Sequence, residues 1–207
     1  MNQIQEVYNI LLKHYGKQGW WPIQGKYSGK SPKNDNEVFE ICLGAILTQN
    51  TSWKNVEKAL NNFEKISKKE INNLSDEKLK EKIRPSGYYN QKTRKIREFL
   101  KANEFTREKL LEVWGLGPET VDSILLYAYN KSYFVIDAYT KRVFERLGFE
   151  FKEYEDLQEL FHKSISSETY KEYHALIVEH CKQHCTKKPS CNSCPLANIC
   201  THSQKYF

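Results

Sequence analysis

The sequence predicts an all-α protein on three observations. Apolar residues repeat with helical spacing in "ETVDSILLYAYN", where Val121, Ile124, Leu125 and Ala128 would share one helix face. The stretch "EVFEICLGAILTQN" is apolar on nearly all sides, which is typical of a buried central helix. Strand-like alternation is short wherever it occurs, and "SYFVID" at 132–137 is its nearest example.

The ends of these helices can also be predicted. We expect Asn36 to cap the central helix. We expect Pro118 to begin the helix that follows the turn with Gly115 and Gly117. The first residues, "MNQIQEVYNILLKHYG", form an amphipathic helix pattern without the apolar block of a signal peptide. Because no apolar run approaches the ~20 residues of a membrane helix, we expect a cytoplasmic protein with no membrane partner.

Composition and charge narrow the classes of function. The 207 residues, 39% hydrophobic and 28% charged, predict a folded, soluble chain of one domain or two small ones. The net charge is +6, and residues 78–109 hold eleven Lys and Arg against four Glu. Such a stretch is either a solvated helix face or a surface for a polyanion, of which nucleic acid is the usual one.

A cysteine-rich segment, here called the cysteine tail, occupies residues 185–200 with the spacing C-x5-C-x2-C-x5-C. Disulfides are disfavoured in a cytoplasmic chain, so four thiolates this close predict a metal site. Zinc usually takes two close cysteine pairs, and the tail has only one, so the spacing favours a cubane iron–sulfur cluster. Of the other two cysteines, Cys42 should act as a small buried hydrophobe, and Cys181 is a spare thiol near the first ligand.

Two further features stand before and after the helix that Pro118 opens. Gly115 and Gly117 allow a tight turn with exposed backbone N–H groups, an arrangement suited to a phosphate, although glycines at a helix corner often have purely steric reasons. Asp137 precedes the next helix, where it either caps that helix or also presents an oxygen to a cleft. Near the N-terminus, Trp20 and Trp21 stand side by side before Pro22, and either pin a loop or offer a surface to something flat.

Together these motifs resemble the endonuclease III superfamily of DNA base-excision glycosylases. The similarity includes "GAILTQNTSWKNVEKAL" (44–60), "SGYYNQKTRKIREF" (86–99), the Gly/Pro hairpin with an aspartate about 20 residues on, and "HALIVEHCKQHC" before the tail. One departure is the first cysteine gap, which has five residues where the commoner family pattern has six.

The resemblance implies two helical domains flanking a DNA-binding cleft. A six-helix barrel domain at 37–130 would carry the helix-hairpin-helix motif, and residues 1–36 with 131–207 would form a discontinuous cluster domain. A 4Fe–4S cluster would be bound in the loop 185–200 by four thiolates: Cys185, Cys191, Cys194 and Cys200. The partner would be double-stranded DNA that contains a damaged base, bound by a monomer.

The residue at position 119 separates two reaction types. Bifunctional members of the superfamily carry a lysine there, which forms a Schiff base with the sugar and permits strand cleavage. This chain has Glu119, which cannot form an imine, so the resemblance implies a monofunctional glycosylase with absent or weak AP lyase activity. Asp137 would be the catalytic carboxylate that stabilises the oxocarbenium ion and orients water.

The resemblance also implies the DNA contacts. Gln49 or Asn50 would fill the gap that the expelled base leaves, and Tyr88 is a candidate for a second wedge, although each is equally interpretable as an exposed loop residue. The hairpin would bind DNA through three residues: Gly115, Gly117 and Thr120.

The base is suggested by a similarity to the 3-methyladenine DNA glycosylase III branch, which shares a WWP segment, the "FEICLGAILTQNT" helix and a hairpin glutamate. On that resemblance five residues would line or border the base pocket: Trp20, Trp21, Pro22, Phe39 and Glu119. Electron-rich rings and a carboxylate would favour a cationic alkylated purine such as 3-methyladenine. The alternatives are a uracil or thymine mismatch glycosylase, an endonuclease III-like glycosylase with lyase activity, or a non-catalytic iron–sulfur DNA-binding protein.

Overall fold

Helices dominate the computed structural model of the chain, which describes residues 2–206 and the side chains of residues 2–204. Eleven α-helices lie in this part: α1 Gln3–Tyr15, α2 Asp35–Thr48, α3 Trp53–Leu60, α4 Lys68–Asn73, α5 Asp76–Ile83, α6 Tyr89–Leu100, α7 Arg107–Leu111, α8 Pro118–Ser123, α9 Ala138–Leu147, α10 Tyr154–Ser164 and α11 Tyr170–Gln183. Helix α8 continues as a π-helical segment, Ile124–Ala128. The β-structure in the described residues is a single bridge between Ile23 and Lys26, so the all-α prediction is confirmed. None of the described helices is long and apolar enough to cross a membrane.

The chain divides into two units by its internal contacts. The terminal unit comprises Met1–Trp20 and Ser132–Phe207, and the central unit comprises Trp21–Lys131. The second boundary lies one residue from the expected one, but the first lies between residues 20 and 21 and not between 36 and 37. Across residues 21–131, all of which the structure describes, there are seven α-helices and not the expected six.

Residues 21–36 belong to the central unit because they bind its helices. The Gln24 backbone N–H donates to Glu40 Oε1 on α2 at 2.7 Å. The Ser31 hydroxyl donates to Asn130 Oδ1 at 2.8 Å, near the other end of the unit. The composition of this segment, rich in Gly, Ser and Lys, gave no sign of these contacts.

Helix α2 is the buried centre of the central unit, as its all-round apolar pattern predicts. Every residue from Phe39 to Leu47 is buried. The helix begins at Asp35, one residue before the predicted cap Asn36. The cap is Asn34, whose side chain accepts hydrogen bonds from the backbone N–H groups of Asn36 and Glu37, both at 3.1 Å.

The core of the terminal unit is aromatic. Phe134 stacks on Phe161 with ring centroids 3.8 Å apart, and Tyr173 of α11 packs against both rings. The Tyr173 hydroxyl donates to the Ile4 carbonyl at 2.7 Å, which ties α1 to α11. Aromatic contacts thus join residues that lie far apart in the sequence.

The segment "SYFVID" forms neither a helix nor a strand. Side chains of α10 take the place of a neighbouring strand: Gln158 donates to the Phe134 carbonyl at 2.6 Å, and the Ile136 N–H donates to the Tyr154 hydroxyl at 3.2 Å. Because these bonds satisfy the buried backbone, the segment can deliver Asp137 to the start of α9 without a sheet.

Candidate functional site

Asp137 is buried at the N-terminus of α9 with only 8% of its surface exposed. Its Oδ1 accepts hydrogen bonds from the Thr140 backbone N–H at 2.7 Å and the Thr140 hydroxyl at 2.9 Å. Its Oδ2 lies 3.4 Å from Nε2 of the buried His174 on α11. One carboxylate oxygen therefore caps the helix, and the other faces a histidine.

Opposing effects set the pKa of Asp137. Burial raises the pKa, because a buried carboxylate loses hydration. The hydrogen bond and charge of His174 and the two hydrogen bonds from Thr140 lower the pKa by more than burial raises it. The net pKa lies below the ordinary value for aspartate, so the group is ionised at neutral pH. Sequence reasoning missed His174, because no local pattern pairs it with a residue in another helix.

The hairpin between α7 and α8 needs glycine at one of its two positions. Gly115 has φ +82°, a conformation that L side chains rarely adopt, and an added Cβ would lie 2.6 Å from Lys95 Cε. Gly117 has φ −96°, and an added Cβ there would meet nothing within 4 Å. Helix α8 begins at Pro118 as predicted, and Glu119 is exposed in its first turn.

Gln49 connects the end of α2 to this hairpin. Its amide nitrogen donates to the Gly115 carbonyl at 3.1 Å and to the hydroxyl of the buried Thr120 at 2.8 Å. Its amide oxygen accepts from Lys95 Nζ of α6 at 2.5 Å. Two of the predicted DNA-binding residues, Gln49 and Thr120, are thus bonded to each other.

The other two predicted wedge residues stand at exposed turns. Asn50 lies in the turn 49–52 with φ +54°, and Tyr88 lies at the end of the turn 84–88 with φ +47°. Tyr88 is 62% exposed. Positive φ is uncommon for asparagine and a clear outlier for a bulky tyrosine, and such outliers often mark functional positions.

Four of the eleven positive charges in residues 78–109 pair with carboxylates of the central unit. Arg97 pairs with Asp76 at 2.9 Å, and Arg107 pairs with the buried Asp122 at 2.8 Å. Two exposed lysines pair with glutamates one turn away: Lys101 with Glu98 and Lys109 with Glu112. The stretch therefore offers a polyanion less unbalanced charge than its composition suggests.

The two adjacent tryptophans have different environments. Trp21 is 6% exposed, and its ring meets the rings of Trp53 and Tyr127, each at a centroid distance of 5.1 Å. A Cβ added to Gly44 would lie 3.3 Å from the Trp21 indole. Trp20 is half-buried and belongs to the terminal unit, so the two rings differ in exposure and in the unit to which they belong.

An open cavity of about 580 Å³ lies in the central unit. Of the predicted pocket residues, Pro22 lines this cavity. Phe39 is buried in α2 and is not among the residues that line it. Trp53, which sequence reasoning did not select, lines it together with Phe63. Four carboxylates also contribute to its wall: Glu37, Glu40, Glu57 and Glu64. Burial raises the pKa of Glu40 even though it accepts a hydrogen bond from Gln24.

The four cysteines of the tail line one cavity in the terminal unit. Arg146 of α9 donates to Cys185 Sγ at 3.1 Å, and Arg142 donates to the Cys185 carbonyl at 3.2 Å. A hydrogen bond from Cys181 is the largest cause that lowers the pKa of Cys185, and His180 and Arg146 act in the same direction against burial. These contacts favour the thiolate form of Cys185, which is the form that binds metals. Cys42 is buried in α2, as predicted.

The donor set can be tested against the metal groups that the spacing suggests. Within residues 2–204, no three His, Cys, Asp or Glu side chains converge closely enough to hold a single metal ion. Four thiols that surround a common cavity next to an arginine instead match the donors of a polynuclear cluster, whose negative charge a guanidinium would offset.

Known proteins resemble the chain over most of its length. A family model described as HhH-GPD superfamily base excision DNA repair protein matches residues 43–167. A candidate DNA repair glycosylase of Methanocaldococcus jannaschii is 44% identical over 95% of both chains. Endonuclease III of Sulfolobus acidocaldarius is 29% identical over 97% of this chain and 93% of its own.

Solved structures share the fold. The H. pylori 3-methyladenine DNA glycosylase (MagIII), bound to 1,N6-ethenoadenine, has a TM-score of 0.72 and 31% identity, covering 88% of this chain and 98% of its own. A trapped endonuclease III–DNA covalent intermediate has a TM-score of 0.79 at 20% identity, covering 100% of this chain and 99% of its own. The chain belongs to the HhH-GPD superfamily and is a DNA glycosylase of the base excision repair type.

Proposed function

We propose that the protein hydrolyses the N-glycosidic bond of a damaged base in double-stranded DNA and leaves the DNA backbone intact. The observation that carries the proposal is the buried, ionised carboxylate of Asp137, held by Thr140 and His174. Cleavage of the bond builds positive charge on the sugar, and a fixed carboxylate stabilises that charge and orients the attacking water. The product is an abasic site and a free base.

The residue at position 119 supports the monofunctional mechanism. A lyase needs an uncharged amine that attacks C1′ of the sugar. The first turn of α8 presents Glu119, an exposed carboxyl group that cannot form an imine, at the position of the family's lysine. We therefore propose that AP lyase activity is absent or weak.

The proposed substrate class is an alkylated purine such as 3-methyladenine. Its base is cationic, so the bond is already labile, and both carboxylates and electron-rich rings attract it. The cavity beside Pro22 and Trp53 supports this class because four glutamates line it. The 31% identity to a 3-methyladenine DNA glycosylase gives independent support. The residues proposed for base recognition are Trp20, Trp21, Pro22, Phe39 and Glu119, with Trp53 added.

The proposed DNA contacts lie at exposed turns of the central unit. Asn50 or Gln49 and Tyr88 would fill the space that the base leaves when it is flipped out of the duplex. The backbone of the hairpin at Gly115 and Gly117, with Thr120 behind it, would approach a phosphate. The exposure and positive φ values of Asn50 and Tyr88 support the first part of this proposal.

A panel of duplexes with single lesions tests the proposed reaction. Each duplex carries 3-methyladenine, 1,N6-ethenoadenine, uracil, a thymine mismatch or an oxidised pyrimidine, and strand breaks are measured with and without hot alkali. We expect breaks at alkylated purines after alkali only. Breaks without alkali would indicate an endonuclease III-like lyase. Release of uracil or thymine alone would indicate a uracil or thymine mismatch glycosylase. No release from any duplex would favour a non-catalytic DNA-binding protein.

We also propose that the cysteine tail binds a 4Fe–4S cluster through Cys185, Cys191, Cys194 and Cys200. When bound, the cluster would supply four metal–thiolate bonds that close the tail. Iron and acid-labile sulfide, measured in purified protein, should both fall strongly in Cys191→Ser. Cys181→Ser is the matched control, because this side chain is outside the tetrad and a serine hydroxyl can still donate a hydrogen bond to Cys185. This variant should retain the iron. Equal loss in both variants would refute the ligand set.

A further inference from the structure

Lys92 is a buried lysine whose ammonium group joins the last turn of helix α2 to the turn 84–88 of the central unit. Only 1% of its surface is exposed. Its Nζ donates to the carbonyls of Leu47 and Ser86, both at 2.7 Å. A buried ammonium is tolerated only when its hydrogen bonds are satisfied, and here both acceptors belong to the main chain.

Each of these carbonyls lies close to a candidate wedge residue. Leu47 is two residues before Gln49, and Ser86 is two residues before Tyr88. Lys92 is one turn along α6 from Tyr88, the residue that caps this helix in a left-handed conformation. One side chain therefore joins the end of α2, next to the turn 49–52, to the turn 84–88.

Both turns hold strained backbone that needs such support. Four non-glycine residues of the described chain have positive φ, and two of them, Asn50 and Tyr88, stand in these turns. Strained conformations persist only where surrounding contacts determine them. Lys95, the next lysine on the same face of α6, reinforces one turn by binding Gln49 at 2.5 Å.

We propose that Lys92 is a positioning residue that holds the two turns at the spacing needed to expel a base from the duplex. This inference rests on the proposed function, because it takes the two turns as the surfaces that enter DNA. Lys92 does not contact the base; it acts through Asn50 or Gln49 on one side and Tyr88 on the other. Burial and the neighbouring Lys95 lower the pKa of Lys92 to about 8, so the ammonium form that binds both carbonyls prevails at neutral pH.

Helix α6 provides a matched control in Arg97. This side chain also donates to two main-chain carbonyls, those of Ile71 at 2.9 Å and Leu74 at 2.5 Å, but neither lies in the two turns. Lys92→Met and Arg97→Met each remove two hydrogen bonds to main-chain carbonyls from one helix, and Arg97→Met also removes the ion pair with Asp76. Only the first change should affect the turns.

The test compares these variants in two measurements. The first is single-turnover release of an alkylated purine, and the second is fluorescence of 2-aminopurine placed beside the lesion, which reports base unstacking without chemistry. Because displacement of a positioned group by ~1 Å can cost about 100-fold in rate, we expect Lys92→Met to lose about 10- to 100-fold and most of the fluorescence change. Arg97→Met should stay within about twofold, since side chains that share no partner with the two turns couple to them only weakly.

A double-mutant cycle distinguishes positioning from general loss of stability. If Lys92 acts through the turns, Lys92→Met should add little to Tyr88→Ala, whereas a general loss of structure would add in full. Full additivity, or equal losses in Lys92→Met and Arg97→Met, would overturn the proposal. If Lys92→Met does not fold, Lys92→Gln replaces it, because this shorter side chain cannot reach both carbonyls. A wild-type level of base unstacking by Lys92→Gln would refute the positioning role of Lys92. The fluorescence comparison remains decisive even if hydrolysis fails on every lesion.

Discussion

Asp137→Asn is expected to abolish base release while leaving DNA affinity nearly unchanged. Asparagine is as good a helix N-cap as aspartate, so the bond from the Thr140 N–H to Oδ1 should survive and α9 should form. The negative charge is lost, and with it the stabilisation of the oxocarbenium ion and the activation of water. The single-turnover rate on the preferred lesion should fall by about 100- to 10,000-fold.

Two measurements separate lost chemistry from lost structure. DNA affinity, followed by fluorescence anisotropy at one fixed salt concentration, should remain close to wild type. The folded-state pKa of Asp137 is lowered, so its ionised form stabilises the fold above the unfolded-state pKa, and this contribution disappears as the pH falls through the folded-state pKa. The melting temperature of the variant should therefore be lower than wild type at neutral pH and converge with it in acid. Base release by the folded variant at a wild-type rate would refute the assignment.

The parts of the fold that depend on local patterns could be predicted from the sequence. The buried helix α2 and the start of α8 at Pro118 follow from apolar spacing and from the preference of proline for a first helical turn. The cap of α2 could not be placed, because "NDN" offers two asparagines and only the folded backbone selects Asn34. The segment 132–137 has strand-forming residues, but helix α10 satisfies its hydrogen bonds.

The parts of the candidate site that depend on distant contacts could not be predicted. Asp137 and the four cysteines carry a local signature, whereas His174 becomes relevant only where α11 meets the start of α9. By composition Lys92 is one more charge in a basic stretch, but its ammonium is buried and binds the end of α2 and the turn 84–88. Charge counts report composition, and only the packing shows which charges remain available to DNA.

The double tryptophan gives the second large expected effect, which concerns stability. Trp21→Ala should lower the free energy of unfolding by roughly 3–5 kcal/mol, because it removes a buried indole that packs between Trp53, Tyr127 and α2. Chemical denaturation followed by far-ultraviolet circular dichroism measures the change without relying on tryptophan fluorescence. Trp20→Ala is the matched control: this ring is half-buried, so the variant should lose much less stability.

Gly44 allows a sharper test of the same packing. A methyl group at this position would lie 3.3 Å from the indoles of Trp21 and Trp53, so Gly44→Ala should destabilise the wild-type protein. In the Trp21→Ala background only the contact with Trp53 remains, and the space that the Trp21 ring vacates allows the Trp53 ring to move away. Alanine is also better than glycine inside a helix by about 1 kcal/mol. The double variant should therefore be more stable than Trp21→Ala alone. If the two changes instead add, the Trp21 ring does not lie against Gly44.

Loss of alkylated-base release in Trp20→Ala, with unfolding free energy and DNA affinity retained, would then assign base recognition to Trp20 and structural support to Trp21.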